Sequence, residues 1–387
     1  MGDGPITFEI SASSDDCGAR AGSVTTPHGS FDTPAFMTVG TRASVKGLWS
    51  QVVADLGARI ILANTYHLML RPGAALIAEM GGLHAWSRWN RPILTDSGGY
   101  QVFSLTDLNE VHDDGVTFRS HLDGALIHLT PEVSIQAQND LGADIIMAFD
   151  DCPPAPEDGG AAPSAGAVED YRARVEQACD RTARWLERCR RAHRRDDQAL
   201  FGIVQGGVDL EQRTRSVEQV CQHDLPGYAI GGVAVGEGFE GLRHAVEHTA
   251  PLLPEDRPRY LMGVGYERDI LTAVRAGVDM FDCVLPTRHG RNANAFTPQG
   301  PLRLRNQRFA RDASVLDPGC DCPACAGGYS RSYLRHLFQS GEMLGPILAS
   351  AHNVRHFQRF LLDIRRAIVD NGWSLIRRRW PVLDAPT

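Results

Sequence analysis

Eight short apolar runs, each bounded by turn residues, constrain this 387-residue chain more than any other feature. They are Ala35–Val39, Ile60–Ala63, Pro92–Thr95, Ile145–Phe149, Leu200–Val204, Tyr228–Ile230, Tyr260–Met262 and Met280–Phe281. Apolarity without alternation is the pattern of parallel strands covered on both faces. Segments of helical character separate most of them, Ser50–Leu56, Glu169–Arg191, Gly241–Leu253 and Glu267–Arg275 among them, which is the order of βα units. Just past the runs stand Asn64, Asp96, Asp150, Gln205, Gly231-Gly232, Gly263 and Asp282. One Asp after a strand is as readily a helix cap. Seven such positions fit a (β/α)8 TIM-type barrel, in which the carboxyl ends of the strands build the site. A doubly wound open sheet is the structural alternative.

The residues add three details. Val111–His128 reads as a hairpin insertion with turns at Asp113-Asp114-Gly115 and Asp123-Gly124. Pro153–Gly166 is a Pro/Gly/Ala-rich loop, and the Arg-rich helix that follows it, within Tyr171–Arg195, reads mostly as a solvated face. One catalytic unit over 1–387 is expected, with the barrel at about 30–300 and a zinc-binding subdomain at about 301–387.

With 43% hydrophobic and 22% charged residues, the chain is not compositionally disordered. No apolar run approaches the ~18 residues a membrane span needs, and the first residues lack the pattern of a signal peptide. A cytoplasmic protein with no membrane partner is expected. The net charge of −8 excludes a bulk polycation but leaves room for a local basic site. One exists: Cys283–Arg311 holds Arg288, Arg291, Arg303, Arg305, Arg308 and Arg311 and no acidic residue, a strip suited to phosphates.

Of nine cysteines, six are scattered singly, which is no disulfide framework. Cys320, Cys322 and Cys325 instead form a knuckle able to aim three sulfurs at one tetrahedral centre. His336, His352 and His356 are the candidate fourth ligands. Three Cys and one His close the shell, so the expected zinc, one per chain, is structural.

Asp96-Ser97-Gly98-Gly99-Tyr100 joins a carboxylate to glycines that admit a planar ligand and to a ring that can stack on it. Asp282 is a second carboxylate on a distant strand end, and two such groups suit acid/base and nucleophilic work at a glycosidic carbon. Taken together, TDSGGYQVFSL (95–105), FDDCPP (149–154), GIVQGG (202–207), GYAIGGVAVGEG (227–238), YLMGVG (260–265), MFDCVLPTRHGRNANAFT (280–297) and CDCPAC (320–325) with His352 resemble the bacterial tRNA-guanine transglycosylases, or queuine tRNA-ribosyltransferases, over nearly the whole chain.

That resemblance implies replacement of the wobble guanine of GUN-anticodon tRNAs by 7-aminomethyl-7-deazaguanine, a step of queuosine biosynthesis, with no nucleotide cofactor. It makes Asp282 the nucleophile at C1′ and Asp96 the general acid/base. Ser97, Gly98, Gly99, Tyr100, Asp150, Cys152, Gln205, Gly231, Gly232, Val233 and Met262 would bind the base. Of these, Asp150 would face its Watson–Crick donors, Gln205 and the Gly232 amide its carbonyl, and Tyr100 and Met262 its two faces. Cys152 and Val235 match the bacterial members rather than those that take the bulkier queuine. Glu237 would support the loop. Gly263, Val264, Gly265, Thr287, Arg288, His289, Gly290 and Arg291 would meet RNA. The ligands of zinc would be Cys320, Cys322, Cys325 and His352, and the assembly a homodimer. Relatives that add a C-terminal RNA-binding domain differ from this sequence, which shows none. Three departures stand out: Asp151 replaces an expected Glu, the Pro153–Gly166 loop is long, and Cys325 and His352 lie about one residue further apart than expected. A hydrolytic glycosidase and a non-catalytic RNA-binding relative are the rival readings.

Overall fold

The structure, a computed structural model, describes residues 4–100, 102, 109–154 and 165–384. Three antiparallel strands open the chain, β1 (Thr7–Ser13), β2 (Arg20–Thr26) and β3 (Gly29–Thr33). Then come β4 (Ala35–Val39), β5 (Ile61–Ala63), β6 (Ile93–Thr95), an inserted sheet of β7 (Asn109–Val111), β8 (Val116–Arg119) and β9 (Leu126–Leu129), and β10 (Ile145–Met147). The series ends with β11 (Ala199–Val204), β12 (Gly227–Ile230), β13 (Arg259–Leu261), β14 (Met280–Cys283) and a two-stranded ribbon, β15 (Asn294–Ala295) and β16 (Leu302–Arg303). Strands β4, β5, β6, β10, β11, β12, β13 and β14 pair in parallel and close into a barrel, β14 returning to β4 with Asp282 opposite Met37. Each of the eight apolar runs is one barrel strand. The open sheet is excluded.

The barrel strands are buried on both faces, apart from the half-buried Asp282 and Cys283 that end β14, and their side chains divide by parity. Ala35, Met37, Val39, Phe201, Ile203, Ala229, Tyr260 and Met280 fill the interior. Their neighbours Phe36, Leu200, Val204, Tyr228, Ile230, Leu261 and Phe281 face the helical shell. That double burial is why the runs show no alternation. Val24 and Phe31 of the opening sheet join the interior cluster, so this sheet closes the end opposite the site.

The insertion is a three-stranded meander, one strand more than the expected hairpin. The arginine face of the helix Ala165–Ala192 is mostly exposed, as the sequence reads, at Arg184, Arg190 and Arg191, but several of its arginines also tie the helix to neighbouring elements. Arg181, Arg184 and Arg188 reach Asp113 of the insertion, and Arg188 also forks onto Glu132 at 2.7 Å through both nitrogens. Residues 155–164, most of the Pro/Gly/Ala-rich loop, lie outside the described residues.

After β14 the outer helix is only Leu285–Arg291. The 26-residue helix Leu344–Val369 covers it and also packs on β4. Close approach is possible because Gly290 lies against Ser350, where a Cβ would come within 2.6 Å of backbone. Among the described residues no helix is long and apolar enough to cross a membrane.

Candidate active site

The barrel's parity places the chemistry. Tyr260 points inward beside Met280 of β14, and two residues on, Asp282 faces the same way. The Tyr260 hydroxyl donates to Asp282 Oδ1 at 2.6 Å, and the Gly263 amide donates to the same oxygen at 2.8 Å. Both donors engage Oδ1, and neither engages Oδ2. Burial raises the Asp282 pKa above the usual carboxylate range, and the two hydrogen bonds oppose that rise.

Asp96 follows β6 and is held from the β5 loop: Asn64 Nδ2 donates to Oδ2, and the Thr65 amide donates to Oδ1 at 2.9 Å. The Gly98 amide adds a bond at 3.2 Å, with Gly98 at φ +83°, a left-handed backbone that favours glycine, and a Cβ there would lie 3.2 Å from the Tyr66 backbone nitrogen. Burial lifts the Asp96 pKa to about 6; the three donors pull it down, and the Asp282 charge pushes it up. A carboxyl group that titrates near neutrality suits proton transfer in both directions.

Asp150, past β10, accepts from Gln205 Nε2 at 2.7 Å and from the Ser97 hydroxyl at 3.3 Å. Burial raises its pKa to about 7. Gln205 Oε1 is buried with no partner among the described residues, an acceptor in want of a donor. Cys152 is buried beside it with its thiol pushed up to about 12 by burial, hence neutral. Asp151 faces the other way. It is fully buried, bound by Arg174 through both nitrogens at 2.9 and 2.6 Å and by Arg181 at 2.5 Å, and so pins the long helix to the strand end.

Asn64, Asp96, Asp150, Cys152, Tyr260 and Asp282 line one cleft of about 390 Å3 together with Ser97, the half-exposed Tyr100, Gly231, Gly232, Val233, Val235, Met262, Gly263 and Arg288, while Gln205 is buried behind Asp150 and does not line it. The Met262 sulfur lies close to Gly231, and Gly99 packs on Asp150. Glu237 accepts from the Ala234 amide and, at 2.9 Å, from the Val235 amide, which braces the loop. Not every expected residue reaches the cleft. Val264 and Thr287 are buried, Gly265 packs against the Cys283 side chain, and His289 packs on Phe296 with ring centroids 5.2 Å apart. Arg291 is half-buried, its NH1 without a partner among the described residues. Arg303, Arg305, Arg308 and Arg311 are exposed.

The knuckle resolves the choice of histidine. His352 Nδ1 lies 3.4 Å from both Cys322 Sγ and Cys325 Sγ, and the four ligand atoms fall within 4.8 Å of one another. Tetrahedral zinc with bonds of ~2.3 Å to sulfur and ~2.05 Å to nitrogen sets an S···N edge of about 3.5 Å. His352 Nε2 donates to the Phe296 carbonyl at 2.7 Å, which leaves Nδ1 as the metal-facing lone pair. The cluster therefore fits a metal ion. His356 is committed to Glu267 at 2.6 Å, and His336 is exposed.

A second group, His28, His84 and Asp144, is close enough to hold an ion. Its two rings are stacked 3.5 Å apart and 9° from parallel, so their in-plane lone pairs cannot converge on one centre. Both instead donate to the buried Asp144 carboxylate, at 2.8 and 3.0 Å, and tie the opening sheet to the barrel.

Against known sequences, residues 15–381 match the family model described as queuine tRNA-ribosyltransferase. The chain belongs to this family. It is 50% identical to the queuine tRNA-ribosyltransferase of Acetivibrio thermocellus over 367 residues, 95% of this chain and 94% of that one. It is 51% identical to that of Thermus thermophilus over 376 residues, 97% and 94% of the two chains. Sequence reasoning did not single out Asn64, Tyr260 or Arg213 as site residues. Asn64 stood in the row of polar residues past the strands, and strand parity would have aimed Tyr260 inward, but Arg213 sits in a segment, LEQRTRSVEQV, that reads as an exposed helix.

Proposed function

We propose that the chain exchanges the wobble guanine of GUN-anticodon tRNAs for 7-aminomethyl-7-deazaguanine through a covalent aspartyl-ribose intermediate. The observation that carries this is Asp282, oriented by Tyr260 and Gly263, sharing one cleft with Asp96 and Asp150. Asp282 Oδ2 attacks C1′, the bond from C1′ to the purine nitrogen breaks, and its electron pair stays on the base. Asp96 delivers the proton that the departing guanine takes. The incoming deazapurine gives its ring N–H proton back to Asp96, its nitrogen attacks C1′, and the ester electrons return to Asp282. Two inversions retain the sugar configuration, and one glycosidic bond replaces another of similar energy, so no energy-supplying cofactor is needed.

Base choice rests on a flipped-out purine. Asp150 accepts from its Watson–Crick N–H donors, while Gln205 and the Gly232 amide address its carbonyl. Tyr100 and Met262 stack on its faces, and the neutral Cys152 and Val235 shape the pocket near C7. Arg288 opens from the cleft towards the exposed arginine strip, which offers phosphate contacts along the anticodon arm. Zinc, held by Cys320, Cys322, Cys325 and His352, would be structural, since four protein ligands leave no position for water. A homodimer with the zinc region near its interface is part of the proposal.

The test is incorporation of isotope-labelled guanine into unmodified tRNA. Exchange at the wobble position, blocked by the deazaguanine and lost in Asp282→Ala, is expected. Net base release in its place would indicate a hydrolase, and folded, metal-loaded enzyme without either reaction would overturn the proposal.

A further inference from the structure

Arg213 lies in the helix Leu210–Cys221 yet is fully buried, and its guanidinium serves backbone carbonyls from two strand ends. Nε donates to Gly207 O at 2.8 Å, NH1 to Val204 O at 3.3 Å and to Gly231 O at 2.7 Å, and NH2 to Gly232 O at 3.1 Å. Burial lowers its pKa only to about 10, so it remains a cation at neutral pH. Burying a charge against neutral acceptors is costly. Holding loops together does not require that charge.

The geometry gives the charge a use. The Gly231 carbonyl and the Gly232 N–H belong to one planar trans peptide and point in opposite directions. Arg213 holds the carbonyl from behind, so the N–H is turned to the far side, where Gly232 and Cys152 both line the cleft. A charge-assisted bond to one end of an amide also strengthens donation from the other. Gly232 stands at φ +65°, and a Cβ there would come within 2.3 Å of Gln205 Oε1, so the peptide has this orientation with no side chain in the way.

We propose that Arg213 is a positioning residue that polarises the Gly232 amide against the 6-carbonyl of the bound purine, and so shares the negative charge that collects on the base as its bond to C1′ breaks. The leaving electron pair is delocalised from the ring nitrogen to that oxygen, which is the situation of an oxyanion hole. The inference rests on the proposed reading of the base carbonyl by Gly232.

The experiment compares Arg213→Gln and Arg213→Lys with the unmodified enzyme, measuring Kd for guanine and for 2-aminopurine, which lacks the carbonyl oxygen, together with kcat for exchange. The altered N1 contact to Asp150 is common to all three proteins and cancels in the ratio. Arg213→Gln is expected to weaken guanine about tenfold, the worth of one charge-assisted bond, and to leave 2-aminopurine within about twofold. Its kcat should fall further than guanine affinity does, and Arg213→Lys should recover part of both losses. Equal weakening of the two bases, or the same loss in both variants, would reduce Arg213 to a structural tie and overturn the inference. An unmodified enzyme indifferent to the carbonyl would instead sink the base-reading assignment beneath it. If neither variant folds, the infrared stretch of 6-13C-labelled guanine decides on the unmodified enzyme. A frequency below that in water is expected, and an unshifted one refutes the inference.

Discussion

Asp150→Asn separates the demands of base recognition from those of folding. Burial moves the Asp150 pKa from an ordinary 3.8 to about 7. A carboxyl group whose folded pKa is raised stabilises the fold below its unfolded pKa, and that contribution is lost as pH rises through the folded value. Three pKa units correspond to about 4 kcal/mol at pH 8 as an upper bound, and local relaxation brings this to about 2 kcal/mol. The amide cannot ionise, and its packing is provided for. Gln205 can turn its side chain over and present the oxygen that now lacks a partner, so the hydrogen bond re-forms in the opposite sense. The variant should therefore be the more stable of the two at pH 8, by about 2 kcal/mol or ~2–3 °C in Tm for a chain of this size, and the advantage should vanish near pH 4. Urea and thermal melts of both proteins at the two pH values measure it, other groups cancelling in the difference. Guanine should raise the Tm of the parent alone. A variant no more stable at pH 8, or an advantage that does not shrink on acidification, would refute the reasoning.

Four further outcomes are expected. Asp282→Ala should remove the RNA adduct trapped on denaturing gels while leaving the circular dichroism spectrum unchanged, and a persistent adduct would move the nucleophile elsewhere. In single-turnover reactions, adduct formation should decline as pH rises through about 6, where Asp96 loses its proton, and Asp96→Asn should abolish that limb. Arg288→Ala should raise the KM for tRNA about five- to tenfold, most at low salt, with the KM for guanine nearly unchanged. Elemental analysis should find about one zinc per chain, and stripping it should lower the Tm without altering exchange chemistry in molecules that stay folded.

Much of this was legible in the sequence, for a physical reason. Strands covered on both faces must be apolar throughout, and the residue that ends each one is free to be polar, so the eight runs and their terminal Asn64, Asp96, Asp150, Gln205 and Asp282 stood out together. The cysteine knuckle was equally open, because metal geometry restricts spacing. What stayed hidden depends on contacts between distant segments. The solvated arginine face of Ala165–Ala192 was legible, but not the partners Asp113, Glu132 and Asp151 that its arginines find in other elements. Arg213 could not be singled out because only the fold brings four carbonyls to it. Spacing alone left His352, His336 and His356 level; the resemblance pointed to His352, and the ring contacts of His352 and His356 agree with it.

The alternation at residues 150–152 has a practical reach. Asp150 and Cys152 look into the cleft, while Asp151 looks outward and fastens the long helix. On the proposed reading, selectivity and anchorage thus occupy neighbouring letters of the chain without sharing a face. A library that randomises 150 and 152 and spares 151 can explore new nucleobases on an unaltered chassis, whereas one that treats the three as a block would unfasten the helix before it retuned the pocket.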